Sequence, residues 1–169
     1  RWRSTSVTSA EINTLDRDAF VERFGALFEN SLWVVERAAD RRPFEDPHEG
    51  LMRVVSDAER EEKIALIRAH PELAGKATID RTLTSASAAE QAGAGLDRLT
   101  PGEFELFHSL NTAYRERFGF PFVICVRRTD KAGILQAMEI RLMNDRDTEI
   151  SNALREIGHI VRLRLEDLG

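Results

Sequence analysis

The chain has 169 residues, 42% of them hydrophobic and 31% charged, which is the composition of a globular protein of one domain. Its formal net charge of −5 argues against a general nucleic-acid-binding surface, and no apolar run approaches the roughly 18 residues that a membrane span requires. The single cysteine, Cys125, excludes a disulfide framework within this sequence and a cysteine-rich zinc site. We therefore expect one domain over residues 1–169, with residues 1–10 as a frayed, polar tail.

The first half of the sequence predicts a series of short amphipathic helices. The spacing of apolar residues and the positions of prolines and glycines place these helices at residues 16–29, 32–41, 48–57, 58–69 and 82–92. Ser31 is a candidate N-cap of the second helix. The fourth helix ends near His70, because a residue that precedes a proline, here Pro71, avoids helical angles.

The second half opens with the strongest helix start in the chain. Thr100, Pro101 and Glu103 combine an N-cap threonine, a proline at the first helical position and a glutamate at the third. We expect this helix to end at Phe118, and two more helices to cover residues 131–143 and 148–166, the last one capped by Asp147. Residues 122–126 are β-prone, but a lone strand has no pairing partner. The predicted fold class is all-α: a single-domain, bundle-like packing of short helices with one buried extended segment at residues 122–126.

The last predicted helix carries one charged residue on its apolar stripe. The stripe steps by four and three residues and consists of Ile150, Leu154, Ile157, Val161, Arg164 and Leu168. Because arginine is almost never fully buried unless it is paired, Arg164 either pairs with a core carboxylate, keeps its head in solvent, or aims its guanidinium into a pocket. Arg155 and Arg162 lie off the stripe, so we expect both to be exposed.

Three further polar residues interrupt apolar patterns. His70 follows Leu66 by four residues, so it is either a buried capping side chain or a general acid or base. Ser87 and Glu90 have the spacing of a capping box, but if the helix has already begun they share one face and can both point into a cavity. The other histidines, at positions 48, 108 and 159, lack metal-ligand spacing, and Cys125 lies among apolar residues, so we predict no metal site and a core cysteine.

Five stretches of the sequence occur in the order found in one known family. They are HPELAGK at 70–76, SAAEQ at 87–91, GAGL at 93–96, LNTAY at 110–114 and FGFPFV at 118–123. Together they resemble the 2-oxo-4-hydroxy-4-carboxy-5-ureidoimidazoline (OHCU) decarboxylase family, which catalyses the last step from urate to (S)-allantoin. The resemblance extends from Phe20 to Leu168. Leu32 departs from it, since the family usually has proline there, but the change affects a helix start and no chemical group.

This resemblance implies an all-α enzyme, commonly a homodimer, that uses neither a metal ion nor an organic cofactor. It implies that the catalytic residues are His70, Glu90 and Arg164. The substrate-binding residues that it implies are Pro71, Ser87, Gln91, Phe122, Val123 and Ile124. The expected partner is the small molecule OHCU, with no nucleic acid and no membrane. We expect a cytoplasmic location, or a peroxisomal one only if a targeting segment is missing from this sequence.

The implied chemistry needs no cofactor because OHCU supplies its own electron sink, an imine bond beside the carboxylated carbon. Arg164 would bind ring carbonyl or carboxylate oxygens, and Glu90 would accept N–H bonds from the ureido group and the ring. His70 would either remove the hydroxyl proton or deliver a proton to the ring carbon that becomes chiral. Two alternatives stay open: a hydrolase of a related ureide in which His70 activates water, and a catalytically inactive helical binding module.

Overall fold

The computed structural model describes residues 9–169, and within them the chain forms ten α-helices, two short 3₁₀ turns and no β-strand. The helices are α1 (Ser9–Thr14), α2 (Arg17–Phe24), α3 (Leu32–Ala39), α4 (Pro47–Asp57), α5 (Arg60–Arg68), α6 (Lys76–Asp80), α7 (Ser85–Gly93), α8 (Pro101–Phe118), α9 (Lys131–Arg141) and α10 (Arg146–Asp167). The all-α prediction is confirmed. Of the predicted N-terminal tail, residues 1–8 lie outside the described residues, whereas residues 9 and 10 form the start of α1.

Side-chain caps decide where the helices begin. The capping box at α8 is present as predicted: Glu103 N donates to Thr100 Oγ1 over 3.2 Å, and Thr100 N donates to Glu103 Oε1 over 2.9 Å. The predicted cap of α10 was wrong, because Asp145, and not Asp147, accepts the Thr148 N–H over 2.7 Å. The helix therefore starts two residues earlier than expected, at Arg146.

The segment predicted as one helix over residues 16–29 is shorter in the structure. Helix α2 ends at Phe24, and the chain tightens into a 3₁₀ turn over Gly25–Leu27 before Phe28 becomes extended, with φ −108° and ψ 121°. This change of direction leaves Glu29 buried against the interior instead of on a helix surface. Helices α1 and α6 were not predicted, because six and five residues are too few to show a helical period.

One hydrophobic core holds the helices together. Helices α2, α3 and α4 pack in succession, and α10 packs against α4, α5 and the Gly25–Leu27 turn. The apolar stripe of α10 ends at Arg164, because Leu168 is the C-cap residue and is exposed. No helix within residues 9–169 combines the length and the apolar character that crossing a bilayer would need.

The predicted extended segment lies outside the helices over residues 122–125, where Phe122, Val123 and Cys125 are buried, while Val126 opens the second 3₁₀ turn, Val126–Arg128. A buried polar network holds this segment from behind. Arg141 Nη1 donates to Val123 O over 2.8 Å, and Arg141 Nε donates to Glu149 Oε1 over 2.8 Å. Glu149 also accepts hydrogen bonds from Tyr114, Asn144 and Asn152. Burial alone would raise the pKa of Glu149, but these hydrogen bonds and the Arg141 charge lower it overall.

Candidate active site

A small cavity lies among the C-terminal end of α5, helix α7, helix α10 and the extended segment. All nine residues that the sequence predicted as site residues line this cavity: His70, Pro71, Ser87, Glu90, Gln91, Phe122, Val123, Ile124 and Arg164. Five more residues line it as well: Leu73, Cys125, Val126, Arg127 and Ile160. Motifs far apart in the sequence therefore meet around one small, partly apolar space.

Arg164 is the most heavily hydrogen-bonded side chain of the cavity. Its Nε lies 3.0 Å from Glu90 Oε2 and its Nη2 lies 2.7 Å from Glu90 Oε1, which makes a two-point ion pair. Nη1 donates to Glu29 Oε1 over 3.2 Å and to Ala26 O over 3.3 Å, and Nη2 also donates to Ser87 Oγ over 3.3 Å. Two of the three sequence interpretations of Arg164 therefore apply at once: it pairs with carboxylates, and it lines the cavity.

Glu29 is the site residue that the sequence analysis missed. It is only 3% exposed and accepts hydrogen bonds from Thr84 Oγ1, from Ser87 Oγ over 2.7 Å and from Arg164 Nη1. It does not line the cavity, but it forms an ion pair with Arg164, which does. Periodicity could not reveal it, because the helix ends before this residue; only the need of a buried arginine for a carboxylate pointed to some such partner.

Ser87 and Glu90 owe their shared direction to the start of α7. Thr84 is the N-cap and accepts the Ser87 N–H, so the helix begins at Ser85 and not at the predicted residue 82. Ser87 therefore lies inside the helix, with Glu90 three residues further on the same face. The capping-box interpretation was wrong, and the interpretation in which both side chains point into a cavity is confirmed.

His70 lies at the end of α5 with only 8% of its surface exposed. Its Nδ1 is 3.0 Å from Leu66 O, and because a carbonyl oxygen can only accept, Nδ1 carries the proton of the neutral ring. Nε2 is then the unprotonated nitrogen of a residue that lines the cavity. Burial, with a smaller contribution from the Arg164 charge, lowers the pKa of His70 to about 4 despite the opposing effects of Leu66 O and Glu29. The imidazole is neutral at physiological pH.

Gln91 lines the cavity but directs its amide toward the segment between α5 and α7, which includes α6. Gln91 Oε1 accepts from Ala74 N over 3.0 Å and from Thr78 Oγ1 over 2.6 Å, and Nε2 donates to Glu72 O over 3.3 Å. The amide oxygen thus has both lone pairs engaged. Its structural contribution is to hold the loop that carries Pro71 and Leu73 against α7.

Apart from Arg127, the remaining wall of the cavity is apolar or carries no charge. Phe122, Leu73 and Ile160 supply hydrophobic surface. Cys125 is buried as predicted, and burial raises the pKa of its thiol, so it stays protonated. Among residues 9–169, no group of three or more His, Cys, Asp and Glu side chains is placed to hold a metal ion.

Comparison with known proteins gives the family. The family model described as OHCU decarboxylase matches residues 13–166. The chain belongs to the OHCU decarboxylase family. It is similar to a 2-oxo-4-hydroxy-4-carboxy-5-ureidoimidazoline decarboxylase of Haloferax volcanii, with 45% identity over 165 residues and 95% of each chain covered. It is also 40% identical to the uric acid degradation bifunctional protein of Bacillus subtilis, of which it spans 32%.

Two solved structures share the fold. A crystal structure of (S)-allantoin synthase matches 96% of the present chain, with a TM-score of 0.75 and 25% sequence identity. The present chain spans 54% of that synthase chain, about half its length. A crystal structure of OHCU decarboxylase in the presence of (S)-allantoin matches 82% of this chain with a TM-score of 0.65. Its 19% identity supports the fold alone, and the resemblance drawn from the sequence motifs is confirmed by the family match.

Proposed function

We propose that this chain is a carboxy-lyase that converts OHCU to (S)-allantoin and CO₂ without a cofactor, as a step of urate degradation. One observation carries the proposal: a neutral imidazole, a carboxylate and a guanidinium, from His70, Glu90 and Arg164, converge on a single cavity. The membership of the OHCU decarboxylase family supports the choice of substrate.

The reaction breaks the bond between the carboxylate and the ring carbon that also carries the hydroxyl group. The electron pair of that bond passes to the adjacent imine, whose nitrogen takes up a proton as CO₂ leaves. The hydroxyl proton then departs as the ring carbonyl forms, and a proton adds to the ring carbon that carries the ureido group. The net change is loss of CO₂ and uptake of one proton by the substrate anion.

His70 suits the last two of these three proton transfers. With Nδ1–H donating to Leu66 O, Nε2 can accept the hydroxyl proton without a change of tautomer. The imidazolium formed in this way is a strong acid, because the same burial that lowers the pKa of His70 to about 4 favours its return to the neutral form. It would then hand its proton to the ring carbon that becomes chiral. His70 would thus perform, one after the other, both of the roles that the sequence left open.

Glu90 and Arg164 act as one unit in this proposal. Each Glu90 oxygen accepts one N–H from Arg164 and keeps a second lone pair, which can accept an N–H from the ureido group or the ring. The Arg164 Nη2 contact with Ser87 Oγ is long, at 3.3 Å, so a substrate oxygen can replace it. The Arg164 N–H freed in this way can donate to the ring oxygen on which negative charge develops.

Product analysis tests the proposed function against its two alternatives. Freshly generated OHCU is mixed with the purified chain, and CO₂, ammonia and urea are measured against the spontaneous decay of OHCU. We expect CO₂ release well above the spontaneous rate, with no ammonia or urea. Release of ammonia or urea would indicate a ureide hydrolase, and decay at the spontaneous rate would indicate an inactive binding module.

A homodimer and a cytoplasmic location stay part of the proposal. Sedimentation equilibrium of the purified chain measures its mass in solution, and a value twice that of one chain is expected. A monomer at micromolar concentration would contradict the expected dimer without affecting the proposed reaction, because every site residue named above comes from one chain.

A further inference from the structure

The cavity has a second cation, which neither the sequence motifs nor the proposed chemistry uses. Arg127 lies in the Val126–Arg128 turn, directly after the extended segment, and lines the cavity. Its guanidinium makes a two-point ion pair with Asp167 near the end of α10: Nη1 lies 2.7 Å from Oδ2, and Nη2 lies 3.2 Å from Oδ1. The two side chains are 36% and 58% exposed. Arg127 thus reaches both the cavity and solvent.

Arg164 is poorly placed to attract an anion. Its five N–H groups already have acceptors, and its single positive charge faces two carboxylates, Glu29 and Glu90. His70 adds no charge, since its imidazole is neutral. This inner cluster therefore carries a net negative charge, which repels an incoming carboxylate. Among the described residues that line the cavity, Arg127 is the other cation.

We propose that Arg127 captures the carboxylate of the substrate at the cavity mouth, and that Asp167 competes with this carboxylate for the same guanidinium. This inference rests on the proposed function, in which the substrate is an anion. The pair with Asp167 displays the two-point geometry that a substrate carboxylate would take over. Exchange of one carboxylate for the other is easy, because an exposed ion pair is weak and screened by salt.

The proposal predicts a particular kinetic signature. The substrate loses its carboxylate as neutral CO₂, so negative charge moves away from Arg127 as the reaction proceeds. An interaction that does not strengthen in the transition state lowers KM and does not raise kcat. Arg127 is therefore a residue for substrate capture, in contrast to His70, whose loss should reduce kcat.

The test compares three variants with freshly generated OHCU at low ionic strength. For Arg127→Ala we expect KM to rise about tenfold, as for loss of a partly exposed charge-assisted hydrogen bond, with kcat within about twofold of wild type. Asp167→Asn removes the competitor, so KM falls. Arg128→Ala is the matched control, because Arg128 lies on the same turn, is exposed and does not line the cavity. We expect its KM to be unchanged.

The product provides an internal control. (S)-Allantoin has no carboxylate, so its inhibition constant should be the same for wild type and Arg127→Ala. An unchanged KM in Arg127→Ala, an equal rise in Arg128→Ala, or a parallel rise in the allantoin inhibition constant would overturn the role of Arg127. These outcomes are distinct from failure of the proposed function, which would appear as wild-type protein that releases no CO₂ above the spontaneous rate.

Discussion

At the scale of single residues, His70 is defined by what surrounds it and not by its position in a motif. The Leu66 carbonyl fixes the proton on Nδ1, and burial keeps the ring neutral. We predict that His70→Asn folds but loses kcat by roughly 10²–10⁴, the usual effect of removing a general acid–base group. Steady-state kinetics with OHCU, beside the circular dichroism spectrum of the variant, check this. Retention of more than about a third of kcat would exclude proton transfer by His70, because it corresponds to less than about 1 kcal/mol of barrier.

Arg164 makes bonds that lysine cannot copy. A lysine ammonium is a point charge with three donors, whereas Arg164 reaches Glu90 through two nitrogens and Glu29 through a third. We predict that kcat/KM of Arg164→Lys falls more than about tenfold, or about 1.4 kcal/mol, nearly as far as that of Arg164→Ala.

The controls for Arg164 are Arg155→Lys and Arg162→Lys, at two exposed positions of the same helix, which should stay close to wild type. Activity must be measured per folded molecule, because removal of one partner of a buried ion pair also destabilises a protein. Lower stability with normal kcat/KM of the folded fraction would limit Arg164 to a structural role.

At the scale of elements, the extended segment depends on a polar network that it does not itself contain. Arg141 of α9 donates to the Val123 carbonyl and stacks its guanidinium 4.3 Å from the centre of the Phe122 ring. Glu149 of α10, which is fully buried, pairs with Arg141. Two helices therefore fix one wall of the cavity, although neither supplies a side chain from these positions to the cavity lining.

We predict that Arg141→Met lowers the free energy of unfolding by about 3–5 kcal/mol, because it leaves the Glu149 carboxylate buried without its cation. Urea unfolding measures this change. The matched control is Arg146→Met, since Arg146 also donates to a backbone carbonyl, that of Phe118, but is exposed. Its expected cost is about 1 kcal/mol. Equal effects of the two substitutions would show that the network is not what holds the segment.

The sequence predicted which helices are present better than it predicted the residues at which they begin and end. Both ends of helix α8 were predicted correctly, because its capping box marks the first residue and the glycine after Phe118 marks the last. The start of α10 was wrong because two aspartates, Asp145 and Asp147, can both cap, and only the tertiary position of the chain selects between them. In the structure Asp147 instead pairs with Arg60 over 2.6 Å.

The site was predicted as a set of residues but not as a set of contacts. Three anomalies and one family resemblance named nine cavity residues, yet nothing local could reveal that Arg164 binds Glu90, which lies 74 positions away. The same limit applies to Glu29, which becomes buried only because the chain leaves its helix at Phe24. Contacts of this kind arise from packing, which periodicity does not encode.

At the scale of the whole molecule, a buried neutral histidine makes stability depend on pH. In the unfolded chain a histidine takes up a proton below a pH of about 6.5, whereas folded His70 does so only below about 4. Between these values the unfolded state binds more protons, so stability falls as the pH falls from about 6.5 to about 4.

We predict that this contribution to the free energy of unfolding is full above a pH of about 6.5 and is reduced by about 3 kcal/mol near pH 4. Urea unfolding of wild type and His70→Asn at several pH values measures it as the difference between the two proteins, in which shared carboxylate effects cancel. A difference that stays constant with pH would mean that folding does not lower the pKa of His70.

In the proposed function, one cavity both removes CO₂ and delivers a proton to one face of the ring. Optical activity of the allantoin formed from fresh OHCU tests it most directly, because spontaneous decay gives no preference between the two faces. We predict that wild-type protein yields (S)-allantoin in large excess as fast as CO₂ appears. Racemic allantoin, formed while CO₂ release is accelerated, would contradict it.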